Sequence, residues 1–177
     1  MIVKSQKYPA TRSLNELGVT LMELMIIVII MGVLTTAAIR GYHQVIHQSR
    51  YAEAKQMLGM IRAAQGAYYQ TFNQYAGEET YAVWPEGELP KQNKLEWGTP
   101  TSQTWLHLGV RAQSAVWFQY RIRASIDPTT ADSEVFQDVP SGPWFQAQAL
   151  EDFDGDGIPH YFEVTSHTPH IYEGRGN

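Results

Sequence analysis

A run of aspartates and glycines near the C-terminus, DFDGDGI, has the residue types and spacing of a metal-binding loop. In the calcium-loop template, carboxylates stand at the first, third, fifth and twelfth positions, with glycine at the sixth and a backbone carbonyl at the seventh. Calcium takes six to eight oxygen ligands, and closely spaced carboxylates repel one another unless a cation lies between them. The sequence therefore predicts a structural Ca²⁺ site. Its predicted ligands are Asp152, Asp154, Asp156, the carbonyl of Ile158, and Glu163.

The segments on either side of this loop, WFQAQAL and HYFEVT, have the composition of strands, so the site would not be a helix-loop-helix. The alternative interpretation is a hairpin turn of Asp and Gly that binds no ion. The sequence contains no cysteine. A bound ion would then secure the last strands of a chain that can form no disulfide, since a ligand that binds only the folded state stabilises it.

Apart from the aspartate-rich segment, Glu23 also needs a chemical explanation, because it interrupts an apolar run. Residues 24–39 contain no charge and no proline, and residues 19–22 are also uncharged. As a helix, this segment of about 20 residues would be roughly 30 Å long, enough to cross a bilayer core. A carboxylate inside it costs about 2.5–3.5 kcal/mol on insertion scales and therefore needs a partner. The positive-inside rule places the N-terminus in the cytoplasm, since three basic residues precede the run: Lys4, Lys7 and Arg12.

The segment from Gly18 through VTLMELM into the apolar run resembles the N-terminus of a type IV pilin precursor, the class III signal. The resemblance implies that a prepilin peptidase cleaves between Gly18 and Val19 and that Val19 is then methylated. It also implies that Glu23, fifth in the mature chain, pairs with the α-amino group of a neighbouring subunit during assembly. One departure is Arg40, which stands where major pilins usually have a proline.

Two simpler interpretations of the N-terminus compete with this one. A secretory signal peptide would have a shorter apolar region followed by a cleavage site of small residues, for which residues 36–38 are a poor match. A plain single-span anchor would fit the hydropathy but would leave Glu23 unexplained.

The rest of the sequence predicts an α+β protein that is type IV pilin-like, with a long N-terminal α-helix packed on a C-terminal antiparallel β-sheet. An amphipathic pattern extends the helix to Phe72, with Arg50 and Gln65 off its apolar stripe. Residues 77–100 form a predicted loop held to the head by Trp84 and Trp97. The predicted strands are 104–110, 115–125, 144–150 and 160–165. The expected domains are a leader (1–18), a membrane-spanning or filament-core helix (19–40) and a globular head (41–177).

Charge and motif content narrow the function. Removal of the leader takes away three basic residues and one acidic residue, so the net charge would fall from −5 to −7. A broad nucleic-acid surface is therefore disfavoured, and we find no nucleophile motif or phosphate loop that predicts an enzyme. Three functions remain: a type IV pilus subunit, a type II secretion pseudopilin, and a solitary membrane-anchored calcium-binding protein. The first two imply other pilin subunits, the prepilin peptidase and an inner-membrane assembly platform as partners.

Overall fold

A computed structural model describes residues 19–133, 135–136 and 139–176, apart from the side chains of residues 40 and 43. The helices are α1 (Leu21–Phe72), α2 (Gln103–Leu108) and a 3₁₀ turn at Pro128–Thr130. The strands are β1 (Ala82–Trp84), β2 (Gln119–Ser125), β3 (Trp144–Glu151), β4 (His160–Thr165) and β5 (Tyr172–Arg175). The chain divides into two compact units, Met1–Gln44 and Val45–Asn177. We call the second the globular unit.

The first part of α1 is apolar and exposed. Its N-terminus is capped by Thr20, whose Oγ1 accepts a hydrogen bond from the backbone N–H of Glu23 at 3.2 Å. The most apolar window of the helix has a mean hydropathy of 2.4, and none of it is buried. By length and composition, this helix can therefore span a membrane.

Within the globular unit, α1 contributes one face to the hydrophobic core. Ala54, Met57, Leu58 and Ile61 are buried there, as their spacing of three and four residues predicts. The prediction for Arg50 was wrong, because this residue is buried. The prediction for Gln65 was also wrong, because this side chain is fully buried. The amide group of Gln65 pairs with the buried backbone of Ala76. Its Nε2 donates to the carbonyl of Ala76 at 2.7 Å, and its Oε1 accepts from the N–H of Ala76 at 2.9 Å.

The five strands form one antiparallel sheet in the order β1-β2-β3-β4-β5. This confirms the α+β class and the antiparallel sheet. One face supplies apolar side chains to the core that includes the α1 residues. That face includes Tyr120, Ile122, Ala147, Ala149, Phe162 and Val164. The prediction that Trp84 and Trp97 hold the preceding loop is also confirmed, since both rings are buried and Trp84 Nε1 donates to the carbonyl of Trp97 at 2.7 Å.

Residues 104–110 were expected to form a strand, and that prediction was wrong. Most of this segment lies in α2, where Trp105 and Leu108 are buried. These two residues are three positions apart, so they share a helix face, whereas Leu106 between them is exposed. Gly109 ends the helix in the left-handed conformation with φ 62°. Two short strands, β1 and β5, were not predicted.

Candidate metal centre

The predicted calcium loop connects β3 to β4. The last residue pair of this hairpin is Glu151 with His160, so the connection consists of residues 152–159, which we call the aspartate loop. Gly155 and Gly157 have φ angles of 71° and 84°. These left-handed conformations, which glycine adopts without steric cost, let the chain turn back within a few residues.

Three carboxylates of the aspartate loop meet at one place. Asp152, Asp154 and Asp156 each offer an oxygen, and these oxygens lie within 4.8 Å of one another. Asp156 Oδ1 accepts a hydrogen bond from the N–H of Ile158 at 2.8 Å. This bond is the main reason that the pKa of Asp156 lies below its usual value. Asp156 is therefore charged at neutral pH, and the three side chains together offer hard oxygen donors.

Asp152 is the buried member of the group, with an exposed fraction of 4%. Its Oδ2 accepts from the N–H of Gly157 at 3.3 Å, and its backbone N–H donates to the carbonyl of Pro90 at 2.9 Å. Its Oδ1 is buried and has no hydrogen-bond partner among the described residues. A buried carboxylate oxygen left unpaired is costly, and a cation among the three aspartates would satisfy it.

The three carboxylates therefore fit a metal ion. Carboxylate and carbonyl oxygens are the donors preferred by divalent cations such as Ca²⁺ and Mg²⁺. The predicted ligand Ile158 lies at the end of the loop, with its N–H directed to Asp156.

The structure does not bring Glu163 into this group. Glu163 lies on β4, opposite Gln148, four residues beyond the end of the aspartate loop. At about 3.3 Å per residue, a strand of this length places it roughly 13 Å from the end of the loop. Its Oε2 accepts hydrogen bonds from Gln146 Nε2 at 2.6 Å and from Gln148 Nε2. The twelfth position of the template thus belongs to a hydrogen-bond network on the sheet, because a strand follows the loop where the template has a helix.

A side chain that we did not predict lies against the loop from β5. Arg175 Nη2 is 3.2 Å from Asp154 Oδ2 and also donates to Asp156 Oδ2. Its guanidinium group neutralises part of the charge of the loop. No feature of the local sequence identifies this contact, because 19 residues separate Arg175 from Asp156 and only the pairing of β5 with β4 brings them together.

A second unpredicted cluster lies where α1 meets the end of β3. Arg50 is buried, its Nη1 is 3.8 Å from Glu151 Oε2, and its guanidinium lies 3.6 Å from the ring centre of Trp117. Phe153 of the aspartate loop packs against the same guanidinium at 4.4 Å. Burial raises the pKa of Glu151 to about 7, against the opposing effect of Arg50. Arg50 was expected to lie off the apolar stripe, but it lies one helical turn before Ala54, on the buried face.

The N-terminal site is only partly described. Gly18 lies outside the described residues, whereas Val19 is 60% exposed. Glu23 is exposed in the first turn of α1. A carboxylate at this end of a helix is favoured by the partial positive charge of the helix N-terminus.

Comparisons of the chain with protein-family models, with curated proteins and with solved structures give no match. The two candidate sites therefore stand on the residues and geometry of this chain. They are the carboxylate at the start of the apolar helix and the aspartate loop.

Proposed function

We propose that this chain is a structural subunit of a type IV pilus, a major or minor pilin that polymerises through its N-terminal helix into a surface filament for motility, adhesion or DNA uptake. Before assembly the chain would lie in the bacterial inner membrane as a single span, with its N-terminus in the cytoplasm. After processing it would join other pilin subunits through the inner-membrane assembly platform.

One observation carries the proposal: the apolar part of α1 is exposed on every side and holds a single ionisable residue, Glu23, in its first turn. A helix that is apolar all round needs lipid or the apolar helices of other subunits around it. A lipid anchor alone gives no reason for the carboxylate. A filament does, because helices packed side by side can place Glu23 of one subunit beside the α-amino group of another.

The proposed mechanism is the mutual neutralisation of two charges. Cleavage after Gly18 would create a positive α-amino group on Val19, and Glu23 would carry the negative charge. Each charge alone is costly in an apolar environment, whereas a close pair offsets much of that cost. Assembly would therefore be favoured only when the helices are staggered so that the two groups meet.

We further propose that the ion of the aspartate loop is Ca²⁺ and that its role is structural. The loop closes the β3–β4 hairpin, and the buried, unpaired Oδ1 of Asp152 gives the ion a partner inside the fold. A chelator should then lower the melting temperature of the full-length chain in detergent and speed its proteolysis. Unchanged values of both quantities would contradict a structural ion.

The second candidate function is a type II secretion pseudopilin, which forms a periplasmic fibre. The absence of cysteine together with a candidate metal site near the C-terminus favours it, because a metal ion would replace the disulfide that pilins usually have there. A solitary membrane-anchored calcium-binding protein is the third candidate, and it predicts an uncleaved N-terminus.

The deciding experiment is quantitative mass spectrometry of filaments sheared from cells that produce this chain. Methylated Val19 in near-stoichiometric amount indicates a major pilin, and a trace amount indicates a minor one. Methylated Val19 found only in the cell envelope favours the pseudopilin. A retained Met1 excludes both and supports the simple anchor.

A variant tests the mechanism itself. Glu23→Ala should insert into the membrane normally but fail to enter filaments, because the α-amino group of its neighbour loses its counter-charge. Glu88→Ala, which removes an exposed carboxylate from the globular unit, is the matched control and should assemble normally. Normal incorporation of Glu23→Ala would refute the charge-pairing mechanism.

A further inference from the structure

We propose that Arg175 is a built-in counter-cation of the aspartate loop, which a divalent cation must displace in order to bind. This inference rests on the metal site proposed above and assigns a specific role to a residue of the C-terminal strand. It predicts that metal binding releases the Arg175 side chain at the end of β5.

The contacts of Arg175 support this assignment. The Nη2 atom of Arg175 contacts two of the three candidate ligands: it is 3.2 Å from Asp154 Oδ2 and donates a hydrogen bond to Asp156 Oδ2. Those carboxylates are exposed and carry like charges, so the guanidinium reduces their repulsion. Asp152, in contrast, has a buried Oδ1 that the guanidinium does not satisfy. Arg175 thus neutralises the outer part of the group and leaves the inner oxygen unpaired.

A divalent cation would satisfy all three carboxylates at once. At the two Oδ2 atoms that Arg175 contacts, the ion competes with the guanidinium, since the positive charges repel each other and the ion requires oxygen ligands at about 2.3–2.6 Å. Binding therefore exchanges one cation for another. The cost of breaking the Arg175 contacts weakens the apparent affinity for the metal, and the released side chain becomes free in solvent.

Release of Arg175 is measurable because trypsin cleaves after arginine. In the metal-free chain the side chain is held by two carboxylates, and the next residue is held too, since the N–H of Gly176 donates to the carbonyl of Pro159 at 2.8 Å. Adding CaCl₂ to the full-length chain in detergent should speed cleavage after Arg175, followed as loss of the C-terminal dipeptide in intact-mass spectra. Cleavage after Arg111, which is exposed in a loop elsewhere, should keep its rate and serves as the internal control.

Variants give a second, independent measurement. Arg175→Gln should bind Ca²⁺ about 10-fold more tightly than the wild type by calorimetry, because two charge-assisted contacts no longer compete. Arg175→Lys keeps the charge and should lie between the two. Arg111→Gln removes the same charge at an exposed site away from these contacts and should leave the affinity unchanged.

Three results would overturn the proposal: equal or weaker Ca²⁺ binding by Arg175→Gln, slower cleavage after Arg175 when Ca²⁺ is added, or no Ca²⁺ binding by either protein. None of them bears on filament assembly. Incorporation of the Glu23 variant into filaments is scored separately, so the failure of this inference and the failure of the pilin proposal are distinguishable.

Discussion

Raising the pH from about 5 to about 8 should destabilise the globular unit, because Glu151 must release a proton inside it. The carboxyl group of Glu151 is buried with an exposed fraction of 1% for the residue, and its Oε2 has no hydrogen-bond donor among the described residues. Arg50 is its charge partner, but at 3.8 Å the two groups form a loose pair. Burial therefore dominates and favours the neutral form.

The size of the effect follows from the shift in pKa. The pKa of Glu151 rises from 4.5 to about 7 on folding. Each unit of pKa corresponds to about 1.4 kcal/mol, so the shift changes the unfolding free energy by about 3 kcal/mol between low and high pH. Between these two values the folded chain holds a proton that the unfolded chain has released. The contribution is complete below about pH 4.5, falls as the pH rises, and is lost above about pH 7.

Glu151→Gln tests this reasoning, because it removes the titrating group and nearly preserves its shape. We would measure urea unfolding of the full-length chain in detergent with EDTA present, by tryptophan fluorescence, at several pH values. The decisive quantity is the change in unfolding free energy between low and high pH, since the variant also alters the partner of Arg50. The exposed Glu88→Gln is the control. If Glu151→Gln keeps the pH dependence of the wild type, another group causes it and our account of Glu151 is refuted.

Two further substitutions test the core. Gln65→Leu should cost about 2–4 kcal/mol of unfolding free energy, because it leaves the buried N–H and carbonyl of Ala76 without partners; the same change at the exposed Gln56 should cost little. Gly77→Ala should cost about 1–3 kcal/mol, since Gly77 has φ 150° and an added Cβ would lie 2.9 Å from the Cβ of Ala124. Urea unfolding measures both, and a wild-type midpoint for either variant would contradict the geometry.

Periodicity predicted the regular parts of the fold well. Strand β4 has the predicted bounds, β3 ends one residue later than predicted, and α1 ends at Phe72 as predicted. In β2, Tyr120 and Ile122 are buried and alternate with the partly exposed Arg121 and Arg123. These elements are long enough for their apolar pattern to repeat, and repetition makes a pattern specific.

Short elements were harder to predict. Helix α2 has only six residues, so two buried side chains three positions apart fit a helix or an irregular strand almost equally well. Strand β5 is mostly exposed, and its sequence, YEGR, has no apolar alternation. It is a strand because its backbone pairs with β4, a tertiary effect that local composition does not encode.

In the candidate metal centre, too, local spacing predicted some residues, and others depended on tertiary structure. Spacing alone identified the three aspartates, because all of them lie in one tight turn. Whether Glu163 could reach the aspartates depended on the element after the loop. That element is strand β4, which places Glu163 away from them. Arg50 and Arg175 were found only in the structure, since each reaches the loop or its neighbour from a distant part of the chain.

The strand order has a consequence for how the globular unit folds. Each strand from β2 to β5 pairs with the strand that precedes it in the chain, so the sheet can grow from β1 towards β5 as the chain is synthesised. The aspartate loop forms when β4 pairs with β3, before β5 is in place. Until β5 pairs with β4, Arg175 is not held beside these carboxylates, and a cation does not compete with its guanidinium there. Pairing of β5 with β4 therefore completes the sheet and also brings Arg175 into competition with any ion at the loop.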